Sequence, residues 1–469
     1  MRLNILKLNF APEESRPEPR THEGATARVL TAEQQLRRSV LSCMLWEREF
    51  YEDGAEIAGR IRVLVPQVAA ERVAALAVEA RERMKLRHVP LLLVREMARY
   101  ATHRSLVAET LARVIQRADE LAEFVALYWA EGRQPLSGQV KKGLAAAFTR
   151  FDEYALAKYD RAAAVRLRDV LFLSHARPVD AAQAALWKRL AQNELVTPDT
   201  WEVALSAAGR ADGPSKREVW ERLLAERRLG ALALIRNLRN MQEAGVAEEL
   251  VLAGLAAMKT DRVLPFRFLV AARKAPQWES ALEQAMFRAL ARQEGSAATL
   301  AGHTVLLVDV SGSMTNALSR RSEMLRTDAA YGLAILLREL AEKVTIYTFS
   351  EAAKRVPARR GMALRDALDH NQQHGGTYLG ASLRQVETEV GAFDRLIVIT
   401  DEQSHDAVES PRALAGERAY MINVASARNG VGYGDQASDW IHRWIHIDGF
   451  SEAVVEYIAE LERDAAQSV

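Results

Sequence analysis

The residues of this chain best suited to chemistry are Asp309, Ser311 and Ser313 in TVLLVDVSGSM, Thr304 to Met314. A carboxylate and two hydroxyls at i, i+2 and i+4, on a segment leaving a strand-like apolar run, can turn three oxygens toward one point. Oxygen ligands with little negative charge suit a hard divalent cation, Mg²⁺ first, with Mn²⁺ or Ca²⁺ as alternatives. Two further oxygens stand at loop-like positions: Thr377 in HGGTYLG, behind two glycines that permit close backbone approach, and Asp401 in RLIVITDEQS, at the end of a second apolar run. The competing reading is that these serines and glycines cap a helix and make turns. His370 and His374 have zinc-ligand spacing only if they share a helix, and Gly375 and Gly376 argue that the helix has ended. No Walker A or HExxH motif is present, and DVSGS has Asp309 where a nucleophile elbow needs Gly. A metal-dependent hydrolase on Asp309 and Asp401 would need a general base or second metal that the sequence does not offer.

These oxygens need a scaffold, and the last third of the chain supplies one. Strand signals at Thr304 to Val310, Val344 to Phe349, Leu396 to Thr400 and Tyr420 to Val424 alternate with helical stretches at Arg326 to Glu342, Tyr378 to Val390 and Ser451 to Arg463. Buried strands alternating with helices predict a parallel sheet covered on both faces, and ligands gather at the carboxyl ends of such strands, where Asp309 and Asp401 fall. From about Val29 to Glu294 the pattern is helical almost throughout, with apolar residues three and four apart and Gly or Pro at the breaks. Many short helices suggest an α-solenoid or a closed ring of helical pairs. The expected organisation is an N-terminal arm at 1–28, a helical-repeat domain at 29–295 and a Rossmann-like α/β domain at 296–469, a multidomain α plus α/β protein.

At 469 residues, 49% hydrophobic and 27% charged, the chain is long enough for several ordinary globular cores. One cysteine, Cys43, cannot form an internal disulfide. The first residues do not read as a signal peptide and no run of about 18 apolar residues occurs, so a cytoplasmic protein with no membrane partner is expected. A net charge of +1 means that a polyanion must be met by a local patch. Arg133 to Arg177 carries nine Lys and Arg against four Asp and Glu, and Arg81 to Arg104 carries seven against two. Trp129, Trp187, Trp201 and Trp220 sit at helical spacing and are expected in the core rather than under bases.

Asp309, Ser311, Ser313, Thr377 and Asp401 together resemble the metal-ion-dependent adhesion site of the von Willebrand factor A fold. KKGLAAAFTRFDEYALAKYDR (Lys141 to Arg161), DVLFLSHARP (Asp169 to Pro178), ALIRNLRNMQEAGV (Ala233 to Val246) and VLPFRFLVAAR (Val263 to Arg273) resemble successive motifs of the TROVE module. The whole is similar to the Ro autoantigen ribonucleoproteins and their bacterial relatives. That resemblance implies a ring of HEAT-like repeats with a basic hole, closed by the von Willebrand A domain. It also implies a non-enzymatic protein that holds small noncoding Y-like RNAs and takes in the single-stranded 3′ ends of misfolded RNAs, with a ribonuclease or other protein as a further partner. Single strands of this kind are bound through basic grooves tracking phosphates, with aromatic or imidazole faces under the bases. The resemblance carries a basic RNA contact to Lys158 and a histidine beside the RNA path to His175; the family's intervening arginine falls on Ala162, with Arg161 one step away. Lys141 and Lys142, at the opening of a predicted helix, are candidates for a phosphate held with backbone N–H groups. A metal-dependent protein-binding adaptor that ignores RNA is the alternative function.

Overall fold

The computed structural model describes residues 31–41, 54–160, 162–208, 213–260, 263–294, 299–318, 324–408, 418–425, 430–431, 444–450, 454–455, 457–459 and 462. The arm at 1–28, Cys43, Arg161 and much of Ser451 to Arg463 lie outside these. Contacts divide the chain into two units, one with described residues 31–41 and 54–204, the other from Leu205 onward.

The first unit is helical. Its centre is His88–Met97, a helix with nine buried residues, including the ion pair of Arg95 with Glu96. Around it pack Ala70–Glu82, Arg104–Val114 and Ala118–Tyr128, whose inward faces contribute Val73, Leu111 and Phe124. Gly138–Phe148 lies on Arg104–Val114 at such close range that a Cβ at Gly143 would stand 2.8 Å from the Ala108 carbonyl oxygen. Arg81 reaches across to Glu120 at 2.7 Å, and Glu120 also accepts the N–H groups of Gln116 and Arg117, so this buried carboxylate is paired on both oxygens. Trp187 and Trp220 are buried as expected, whereas Trp129 and Trp201 are only half-buried.

In the second unit, the change from helix to strand falls between Glu294, the end of the helix Glu279–Glu294, and Leu300. Among the described residues six strands follow: β1 (Leu300–Asp309), β2 (Ala341–Phe349), β3 (Ala353–Arg355), β4 (Arg395–Thr400), β5 (Ala419–Asn423) and β6 (Trp444–Asp448), in the order β3-β2-β1-β4-β5-β6. All neighbours are parallel except the short edge strand β3 against β2. The apolar runs of β4 and β5 are buried along their whole length, as a sheet covered on both faces requires.

The chain leaves β1 toward β2 on one side and later returns to place β4 on the other. The carboxyl ends of β1 and β4 therefore flank a topological switch point, the crevice where such sheets bind ligands. Among the described residues Arg326–Leu340 packs on β1, β2 and β4, Leu379–Val390 packs beside β3, and Gly361–Asp369 lies against Arg326–Leu340. The helix Pro265–Lys274, which precedes the sheet in sequence, lies against Arg326–Leu340. Gly332 lets the Phe266 backbone approach, Arg273 binds Asp328 at 2.8 Å and Phe266 packs edge-on to Phe450.

Candidate functional site

Asp309 is the last residue of β1; Ser311 stands at the N-cap of a short turn, Gly312–Thr315, which carries Ser313. The Ser311 N–H donates to Asp309 Oδ1 at 2.8 Å, an Asx-type turn that folds the segment back over the strand end. The two serine hydroxyls then stand 3.3 Å apart. The glycines of HGGT bring the Thr377 loop alongside: Gly312 N–H donates to the Gly375 carbonyl at 2.9 Å, and His374 Nδ1 contacts the Val310 carbonyl at 2.6 Å. Thr377 is in turn tied to the segment after β4, its carbonyl accepting from His405 N–H at 2.8 Å. Asp401 opens that segment. The five sequence-selected oxygen donors thus lie on three interlocked loops at the carboxyl ends of β1 and β4. Asp309, Ser311 and Asp401 are fully buried, Thr377 nearly so, and Ser313 is half-buried.

Two buried carboxylates, Asp309 and Asp401, stand close enough in this crevice to act on one another. Burial, and then the charge of Asp401, push the Asp309 carboxyl well above the usual aspartate range. Two groups that sequence reasoning missed answer the carboxylates. Thr400 donates its hydroxyl to Asp309 Oδ2 at 2.6 Å while accepting from Glu402 N–H at 3.0 Å. Arg326, first residue of its helix and 2% exposed, donates to Asp401 Oδ2 at 3.0 Å. A threonine ending a strand just before the candidate aspartate was a readable signal for the first; nothing local marks Arg326.

The donor set fits a small hard cation. Two ligand oxygens at neighbouring corners of a Mg²⁺ octahedron are about 3 Å apart, close to the Ser311–Ser313 separation. Among the described residues no cluster of three or more His, Cys, Asp or Glu side chains suits a metal; a cation held here would need hydroxyl oxygens besides the two carboxylates. The zinc alternative is excluded by geometry. The helix Gly361–Asp369 ends before His370, and the two histidines turn to different carbonyls, those of Asp366 and Val310.

The candidate RNA residues lie in the first unit. Lys158 lies in the last turn of the helix Glu153–Tyr159 and holds its ammonium 5.9 Å and 5.6 Å from the ring centroids of Tyr154 and Tyr159. His175 caps the helix Leu167–Ser174 in the left-handed region (φ 53°) and is exposed, as is Phe172 one turn earlier, at 63%. Phe172 was missed because an isolated aromatic in an amphipathic run reads as core. Lys141 and Lys142 do not open their helix. Its first ladder bond runs from Lys141 N–H to the Ser137 carbonyl, and Ser137 Oγ accepts from Val140 N–H. Both lysines sit a turn beyond the helix start, so they act as side-chain charges only. Arg161 lies outside the described residues. No contact joins Lys141, Lys142, Lys158 and His175 to one another among the described residues.

The Arg81 to Arg104 excess largely disappears in space. Arg81, Arg87, Arg95 and Arg99 pair with Glu120, Asp119, Glu123 and Glu131. Those acids come from beyond the stretch. In the second stretch Arg166 pairs with Asp160, but Lys141, Lys142 and Lys158 have no acidic partner among the described residues.

Residues 178–305 match the TROVE domain family and residues 303–461 match the Ro60 vWA domain family. The second match contains all five oxygen donors; the first begins just after His175. Among solved structures, the crystal structure of the Deinococcus radiodurans Ro (RSR) protein is similar in fold. The TM-score is 0.61 and the identity 20%, with 92% of this chain and 100% of that chain covered. No helix of the described residues is long and apolar enough to cross a membrane. The two family matches succeed one another through more than half of the chain, which thus carries a TROVE domain followed by a Ro60-type von Willebrand A domain, the organisation of the Ro family.

Proposed function

We propose that this protein is an RNA-binding component of a ribonucleoprotein that holds a Y-like noncoding RNA and takes the single-stranded 3′ end of structured or misfolded RNAs into its helical part, in RNA quality control or processing in the cytoplasm. The observation that carries this reading is the order of the two family matches, TROVE then Ro60 vWA. Lys141, Lys142 and Lys158 support it as cations without acidic partners among the described residues, and the exposed rings of Tyr154 and Phe172 beside Lys158 and His175 offer stacking faces. Arg161 belongs to the same proposed set. The function is binding, with no catalytic group assigned.

The experiment is cross-linking and sequencing of RNA that copurifies with the full chain, followed by gel-shift titration of hairpins with and without a 3′ overhang. RNAs with free single-stranded ends should be enriched and should bind more tightly than blunt hairpins of equal length. His175→Ser should weaken the overhang complexes only. A preparation free of nucleic acid that also binds neither hairpin would sink the reading.

Asp309, Ser311, Ser313, Thr377 and Asp401 are proposed to hold a divalent cation, Mg²⁺ in the first place. When bound, such an ion offers a coordination position to an outside carboxylate. Exposed Tyr378, stacked at 5.1 Å on His405 beside Thr377, gives that position an aromatic border. A protein partner, for example a ribonuclease, is therefore proposed for this face.

A further inference from the structure

The cation site already contains a cation. Arg326 places its guanidinium 3.0 Å from Asp401 Oδ2 and 3.5 Å from the Ser313 carbonyl oxygen, in a region where Asp309, Ser311 and Asp401 are fully buried. Its backbone belongs to the same loop as the serines. Arg326 N–H donates to the Asn316 carbonyl at 3.0 Å, Asn316 Nδ2 donates to the Ser313 carbonyl at 3.0 Å, and Ala317 bridges Leu325. Asp328 fixes the helix start by accepting from Leu325 N–H at 2.7 Å. The arginine cannot leave by backbone motion without carrying the serine loop with it.

We propose that Arg326 is an internal counter-ion that competes with the divalent cation for Asp401 and so holds the metal affinity of this site low. The inference rests on the metal reading of Asp309, Ser311, Ser313, Thr377 and Asp401. With both carboxylates ionised, as metal binding requires, one guanidinium leaves a single net negative charge to attract a divalent ion that is reluctant to shed water. In a dry crevice the guanidinium also repels that ion with little screening. Without a metal, the same guanidinium prevents the two carboxylates from facing each other uncompensated, an arrangement that is strongly destabilising when one partner of a buried pair is lost. The residue thus exchanges metal affinity for stability in the metal-free state.

The test is Mn²⁺ titration of the full chain, read by the electron paramagnetic resonance of free Mn²⁺ and by thermal unfolding with and without the ion. Arg326→Gln removes the charge and Arg326→Lys keeps it. Removal of the competing charge should tighten Mn²⁺ binding by about tenfold or more. Arg326→Gln should also melt below wild type in chelator and regain more of its melting temperature with Mn²⁺, whereas Arg326→Lys should bind like wild type. A glutamine variant that folds only with Mn²⁺ present supports the proposal; one that folds in neither condition overturns it, because Arg326 would then be a structural pillar. Wild-type binding with equal or weaker binding in Arg326→Gln also overturns the competition. Absence of Mn²⁺ binding in every protein, Arg326→Gln included, instead removes the metal reading beneath it.

Discussion

Asp309 accepts hydrogen bonds on both oxygens, from Ser311 N–H and the Thr400 hydroxyl, yet its burial beside Asp401 makes its negative charge unfavourable. Asp309→Asn should therefore leave the metal-free protein at least as stable as wild type while abolishing any rise in melting temperature with Mn²⁺. Scanning fluorimetry with and without the ion checks both halves. Glu131 offers a contrasting carboxylate. Against the opposing effect of partial burial, Arg99 and Arg95 hold it down to about 2 from an ordinary 4.5. A depressed folded-state value means that its contribution is present above pH 4.5 and disappears as pH falls toward 2. Glu131→Gln should lower the melting temperature at neutral pH and flatten its fall across that acid window. The five oxygen donors were legible because residue type and spacing carry the chemistry of a hard cation. Arg326 was not, since it stands 75 residues from Asp401 and only the fold joins them. The arginines of the Arg81 to Arg104 stretch misled for the same reason, because a count along the chain cannot see acids on the next helix.

At the scale of elements, periodicity located the four long strands but blurred where they begin. The stretch from Arg326 was expected to stay helical to Glu342, yet the helix stops at Leu340 and Ala341 already pairs with Leu300. Glu342 and Lys343 are good helix formers with no Gly or Pro before them, and strand pairing overrode that local preference. β3 has only three residues, and β6, WIHID, carries adjacent half-exposed residues Ile445 and His446 and ends in Asp448, so neither gave a continuous apolar run. Close helix approaches make sharper predictions. Gly143→Ala would drive a Cβ to 2.8 Å from the Ala108 carbonyl oxygen and should cost about 1–3 kcal/mol by denaturant titration. The helix bearing Lys141 and Lys142 and the one bearing Lys158 should carry the salt dependence of RNA binding. With about 0.7 in log–log slope per neutralised phosphate on a single strand, replacing all three lysines with Gln should lower the slope by about 2. An unchanged slope in a folded variant would remove these helices from the interface.

For the molecule as a whole, two units with separate cores should not melt as one. Calorimetry of the full chain should give a larger enthalpy than the van't Hoff value of its main transition, and Mn²⁺ should move only the transition of the unit that carries β1 and β4. The sequence announced a change of architecture near Leu300, and secondary structure changes there. It did not announce that helices preceding that point would share a core with the sheet, because an amphipathic face does not name its partner. The seam between Pro265–Lys274 and Arg326–Leu340 determines where the polypeptide can be cut. Phe266, Phe268 and Leu269 are all at most 2% exposed, and a gene fragment begun at 303 would strip away their helix and bare the opposite face, inviting aggregation. Trypsin working on the native protein should meet the same seam as a barrier and leave a resistant C-terminal piece whose first residue lies nearer Leu205 than Leu300.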